Sequence, residues 1–172
     1  FEELDRAAAV GDADKAGRVF ADLKQRFPGT AFAQQGGLTA ARVQVAKGQA
    51  DAAKATLAWV AENGAEDEMR TIARLRLAAV QADAKQYDEA LKTLDAAKAE
   101  GFEGLVADRR GDVLLAQGKK DEARTAYQAA YKAMDEKVDY RRLVEAKLTT
   151  LGAAPAPAAA ASGAAAASGA GK

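Results

Sequence analysis

Between residues 108 and 130 the chain reads DRRGDVLLAQGKKDEARTAYQAA, and its apolar positions recur with the period of a helix. Val113, Leu114 and Leu115 mark a first arm, with small Gly111 one turn earlier, where another backbone could approach closely. Ala123, Tyr127 and Ala130 fall at i, i+4 and i+7 of a second arm, a single helical stripe. Gln117, Gly118 and Lys119 between them predict a tight turn. Small residues at a crossing with large ones beside them are what two packed antiparallel helices require. Such a hairpin hides only one face, so it needs copies.

The copies lie upstream. KQYDEALKTLDAA (85–97), GQADAAKATLAWV (48–60) and GDADKAGRVFADL (11–23) repeat the turn and second arm, with Ala16, Ala53, Ala90 and Ala123 in register. Those anchors are 37, 37 and 33 residues apart. The spacing sits around the roughly 34-residue period of the tetratricopeptide repeat, a helix–turn–helix unit that stacks into a solenoid. The expected fold is therefore all-α, a right-handed solenoid of about four helical hairpins. Its predicted helices span 1–10 and 13–26, then 31–46 and 51–62, then 67–84 and 87–99, then 104–116 and 121–134. Phe27-Pro28-Gly29 stops a helix and Thr30 can cap the next, while Asn63-Gly64 and Glu100-Gly101 close the following hairpins.

The two ends read differently. A ninth helix over 138–151 puts Tyr140, Leu143, Val144, Leu148 and Leu151 on one stripe, suited to cap the last exposed face of the stack. From Gly152 the composition collapses to Ala, Pro, Gly and Ser, so the expected domain is 1–151 and residues 152–172 are expected to be a disordered tail without chemistry. At the other end Phe1 falls in mid-helix and is not Met, which points to an upstream segment, a targeting sequence or a membrane anchor, the plain alternative being the frayed terminus of an ordinary cytosolic domain. The first hairpin, lacking upstream neighbours, is expected to show an apolar edge through Leu4, Val10, Phe20 and Leu23, by which a homodimer could pair.

Composition narrows the function. Lys+Arg and Asp+Glu are both 25, so the net charge is zero and the basic footprint of a nucleic-acid binder is missing. With no His and no Cys, imidazole bases, thiolate nucleophiles, disulfides and ordinary zinc or redox-metal sites are excluded. The serines, Ser162 and Ser168, lie in the tail, and neither GxxxxGK[ST] nor GxGxxG occurs. No cofactor is expected. Asp108 and Asp112, one turn apart, could serve acid–base work in a carboxylate-based hydrolase or hold a hard cation, but a solvated helix face explains such spacing better in a chain that is 29% charged. The chain reads as a non-enzyme.

A stack of helical hairpins offers instead a concave surface lined by the first arm of each repeat. With each anchor alanine at the twentieth repeat position, the groove-facing residues are Leu38, Arg42 and Val45, then Ile72, Leu75 and Ala79, then Leu105, Asp108, Asp112 and Leu115. This lining is aliphatic with sparse charge, fit for an extended or helical apolar segment. Asn63, the lone asparagine, sits in a turn, which counts against a clamp for C-terminal carboxylates. Arg110 falls where a first arm usually carries an apolar residue, and a structural ion pair with Asp88, Glu89 or Asp112 is expected there.

The run 73–130, ARLRLAAVQADAKQYDEALKTLDAAKAEGFEGLVADRRGDVLLAQGKKDEARTAYQAA, resembles the periplasmic domain of the YfgM-like family, the ancillary subunit of the SecYEG translocon. The likeness continues more weakly back through RFPGTAFAQQGGLTAARVQVAKGQADAAKATLAWV. The resemblance implies an N-terminal transmembrane anchor absent here, a place on the periplasmic side of the bacterial inner membrane, and no catalytic residues. It implies as partners the SecYEG translocon, a membrane-anchored periplasmic chaperone of the prolyl-isomerase class, and secreted client chains. A competing expectation, drawn from the Phe27-Pro28-Gly29-Thr30 turn, is an outer-membrane or envelope-assembly repeat scaffold.

Overall fold

The computed structural model describes residues 2–155, and among these it holds nine α-helices and no strand. They are α1 (Glu2–Val10), α2 (Ala13–Arg26), α3 (Ala31–Ala46), α4 (Ala50–Asn63), α5 (Asp67–Asp83), α6 (Tyr87–Asp95), α7 (Glu103–Ala116), α8 (Lys120–Ala133) and α9 (Tyr140–Thr150). The four repeats are α1/α2, α3/α4, α5/α6 and α7/α8, and the fold is the expected helical-repeat solenoid. The expected tail lies, from residue 156 onward, outside the described residues, as does Phe1.

Local sequence explains the helix ends. Asp12 caps α2 by accepting the Lys15 N–H at 2.9 Å, and Thr30 caps α3 by accepting the Ala33 N–H at 3.3 Å. Inside each hairpin the turn passes through the left-handed region at one residue: Gly11 (φ 69°), Gly48 (74°), Lys85 (61°) and Gly118 (84°). Each stands five residues before its anchor alanine. Glycine reaches that region without a Cβ penalty, and only the third repeat puts a side chain there.

The core is shared across repeats. Ala16, Ala53, Ala90 and Ala123 are all 0% exposed, at equivalent helix crossings. Leu4, Ala16 and Phe20 of the first hairpin pack with Ala40 and Val43 of α3; Leu57 and Val60 of the second with Ala73, Leu77 and Val80 of α5; Ala90 and Leu94 of the third with Val113 of α7. Each cluster thus needs the first arm of the following repeat. The fourth hairpin has no fifth to use, and α9 takes that role by placing Val144 and Leu148 against Leu114, Ala123, Tyr127 and Ala130. Trp59 joins the first two clusters, meeting Phe20 edge to face at 5.4 Å.

Several expectations are corrected by this packing. Gly111 makes room for a side chain rather than a backbone: a Cβ there would lie 2.4 Å from the Tyr127 ring. Leu4 and Phe20 are buried against α3, so of the expected apolar edge only Val10 is widely exposed. Helix α6 stops at Asp95, short of the expected residue 99. Its last turn is taken over from outside: Arg74 donates to the Ala96 carbonyl at 2.9 Å and to that of Ala61 at 3.0 Å, while Thr71 Oγ1 accepts the Ala99 N–H at 3.2 Å. Arg110 pairs with Asp95, not with Asp88, Glu89 or Asp112.

Candidate functional site: a trough between first arms

The first arms α3, α5 and α7 lie side by side, and the predicted groove residues separate into three groups along them. Arg42, Val45 and Ala79 line one open cleft of about 220 Å³, together with Arg76, Asp83 and Arg109. Ala41, Leu57 and Val80 supply its floor. A second depression of about 240 Å³, lined by Gly48, Ala50 and Ala84, shares Val45, Val80 and Asp83 with the first, so the two adjoin and are together termed the trough. Val45 is 45% exposed, an aliphatic side chain offered to solvent.

A second group is absorbed into the core. Leu38 is only 8% exposed within the cluster between the second and third repeats, and Ile72 packs on the same cluster. Leu75 packs half-buried on the cluster of the third repeat. Leu105 faces a separate hollow of about 450 Å³ with Gly104, Met134, Val138 and Tyr140, whereas Leu115 remains exposed on α7.

Asp108 and Asp112 form the third group, and they do not line an open groove. Asp108 is 1% exposed; its Oδ2 accepts the Tyr140 hydroxyl at 2.7 Å, and both its oxygens accept from Lys147 Nζ at 2.8 and 2.9 Å. Asp112 Oδ1 accepts from the same ammonium at 2.7 Å and from the Tyr127 hydroxyl at 2.8 Å, and Arg109 lies 3.6 Å from its other oxygen. Lys147 and Tyr140 come from α9, so the capping helix is tied to α7 by charge as well as by apolar contact. Burial, then the hydrogen bond to Asp108, pushes the Tyr140 hydroxyl up to about 12; burial and the Asp112 hydrogen bond raise that of Tyr127 further. With their oxygens engaged by an ammonium and two phenols, these carboxylates are a structural hub. The hydrolase expectation loses its candidate pair.

The sequence reading missed Arg76, Asp83 and Arg109 as trough residues. A signal was present: Arg76 and Arg109 both stand fourteen residues before their anchor alanine, so the register puts them at equivalent places on neighbouring first arms. Among the described residues Arg42, Arg76 and Asp83 make no hydrogen bond or ion pair, and no group of acidic side chains is arranged to hold a metal ion. No helix among the described residues is long and apolar enough to cross a membrane.

Comparison with known proteins agrees with this architecture. Residues 1–153 match the model of the tetratricopeptide repeat-like domain family. The chain is similar to the ancillary SecYEG translocon subunit of Escherichia coli strain K12, 42% identical over 89 residues, which covers 52% of this chain and 43% of that protein. It is also similar to the subunit of the same name from Neisseria gonorrhoeae, 33% identical over 129 residues (75% of this chain, 62% of that one), and from Haemophilus influenzae, 34% over 101 residues (59% and 50%). The chain spans about half the length of these curated relatives. From the shared repeat architecture and these matches, the chain belongs to the tetratricopeptide repeat-like domain family, in its YfgM-like branch.

Proposed function

We propose that this domain is the protein-interaction module of an ancillary Sec translocon subunit, working without covalent chemistry on the periplasmic side of the bacterial inner membrane. The similarity to three proteins named as SecYEG translocon subunits carries this reading. The trough across α3, α5 and α7 supplies its means. There the domain scaffolds contacts among the translocon, a membrane-anchored chaperone of the prolyl-isomerase class and emerging secreted chains, held to the membrane by an anchor encoded upstream.

Magnitudes suit a transient hand-off. Burying one aliphatic side chain yields about 1.5–3 kcal/mol, and the two hollows hold only a few such groups. Association itself costs at least about 4 kcal/mol, so the trough alone gives weak, quickly reversible binding. Photo-crosslinking in cells from Val45 and Leu115, both exposed on first arms, is expected to trap translocon subunits, the chaperone or secreted chains. Adducts confined to cytosolic proteins would refute the assignment.

A further inference from the structure

The trough is not evenly apolar. Arg42, Arg76 and Arg109, from three successive first arms, line the first hollow around its aliphatic floor, and Asp83 is the acidic residue that lines both hollows. Arg109 has a partner in Asp112, but Arg42 and Arg76 have none among the described residues. Set against Asp83 and the Asp112 that pairs with Arg109, the three arginines leave one positive charge in excess on this patch of a chain whose net charge is zero. Arg42 and Arg76 are both exposed, so their guanidiniums are open to an incoming carboxylate.

We propose that the trough binds an extended acidic–aliphatic segment of another protein. Aliphatic side chains of the segment seat over Val45 and Ala79, and flanking Asp or Glu carboxylates reach Arg42 and Arg76. Guanidiniums present paired donors to carboxylates, so the arginines set the direction in which the segment lies as well as its affinity. The two hollows adjoin at Val45, Val80 and Asp83, which suits a segment laid across both. The chain's own residues 152–172 contain no Asp or Glu and do not match this chemistry. The inference specifies the occupant of the surface invoked above, and rests on that surface being the working face, not on the translocon being the partner.

The test is to pan a phage-displayed linear peptide library against the full chain, then measure the best binder as a synthetic fluorescein-labelled peptide by fluorescence polarisation. Selected sequences are expected to pair two or more carboxylates with spaced aliphatic residues. Arg42→Gln with Arg76→Gln should weaken the peptide about tenfold without moving the melting temperature, since neither side chain pairs within the fold, and Glu→Gln in the peptide should do the same. Added salt should weaken the parent peptide far more than the Gln peptide. Selection of neutral or basic sequences, no enrichment, indifference to the double variant, or its loss through dissociation of a dimer would each overturn the proposal. Acidic selection alongside failed cellular crosslinking to the translocon would leave this inference standing and remove the proposed function.

Discussion

The ammonium of Lys147 faces two carboxylates and lies 5.3 Å from the Tyr127 ring centre, so it supplies the charged part of the hold on the capping helix. Removing a partner from a buried pair strands the other charge, which is worse than never having built the pair. Lys147→Met is therefore expected to cost about 3 kcal/mol in urea unfolding, because Asp108 is left buried beside Asp112 without a counter-ion. A loss below about 0.5 kcal/mol would show that water replaces the ammonium. The phenols add a pH signature. Tyr140 has a folded value above its unfolded 10, so its contribution to stability is complete below pH 10 and disappears as pH rises through about 12. Phenolate absorbance of the folded chain should show a late step that Tyr140→Phe removes; the same titration in both proteins would contradict the buried hydrogen bond to Asp108.

At the level of elements, the hairpin turns test whether the repeats are truly equivalent. Gly11, Gly48 and Gly118 share with Lys85 a left-handed backbone five residues before the anchor alanine, and only Lys85 meets it with a Cβ. Lys85→Gly is expected to raise stability by about 0.5 kcal/mol, the steric relief outweighing the extra freedom of the unfolded chain. A fall in melting temperature would mean that this turn differs from the other three. The same elements mark what the residues disclosed in advance. Turns, caps and anchor alanines were legible because their causes are local: Thr30 caps α3 from three residues away, and Ala123 and Tyr127 share one stripe. The early end of α6 was not, because Arg74 and Thr71 impose it from 22 and 28 residues back. Asp108 and Asp112 were read as groove residues for the same reason. Repeat position alone puts them on the inner face, and nothing near them in sequence announces that α9 will fold back over them. Arg76 and Arg109 had a local signal, their common register, that an aliphatic reading of the groove passed over.

On the scale of the whole molecule, three-helix clusters follow one another along the described residues, each borrowing the next repeat's first arm and the last borrowing α9. That leaves the trough mainly to the first arms, with Ala50 and Leu57 of α4 completing it, and the exposed faces of the second arms outside it. Work at an inner surface and indifference at the outer one is the expectation that follows, and it separates a recognition scaffold from a passive spacer. The most direct measurement is co-purification of the translocon with the protein carrying tryptophan on one face or the other. Val45→Trp with Leu115→Trp, both on exposed first-arm sites, should abolish it, while Ala55→Trp with Lys92→Trp, on exposed second-arm sites, should leave it intact. Equal retention in both pairs, or loss only in the second-arm pair, would contradict the account.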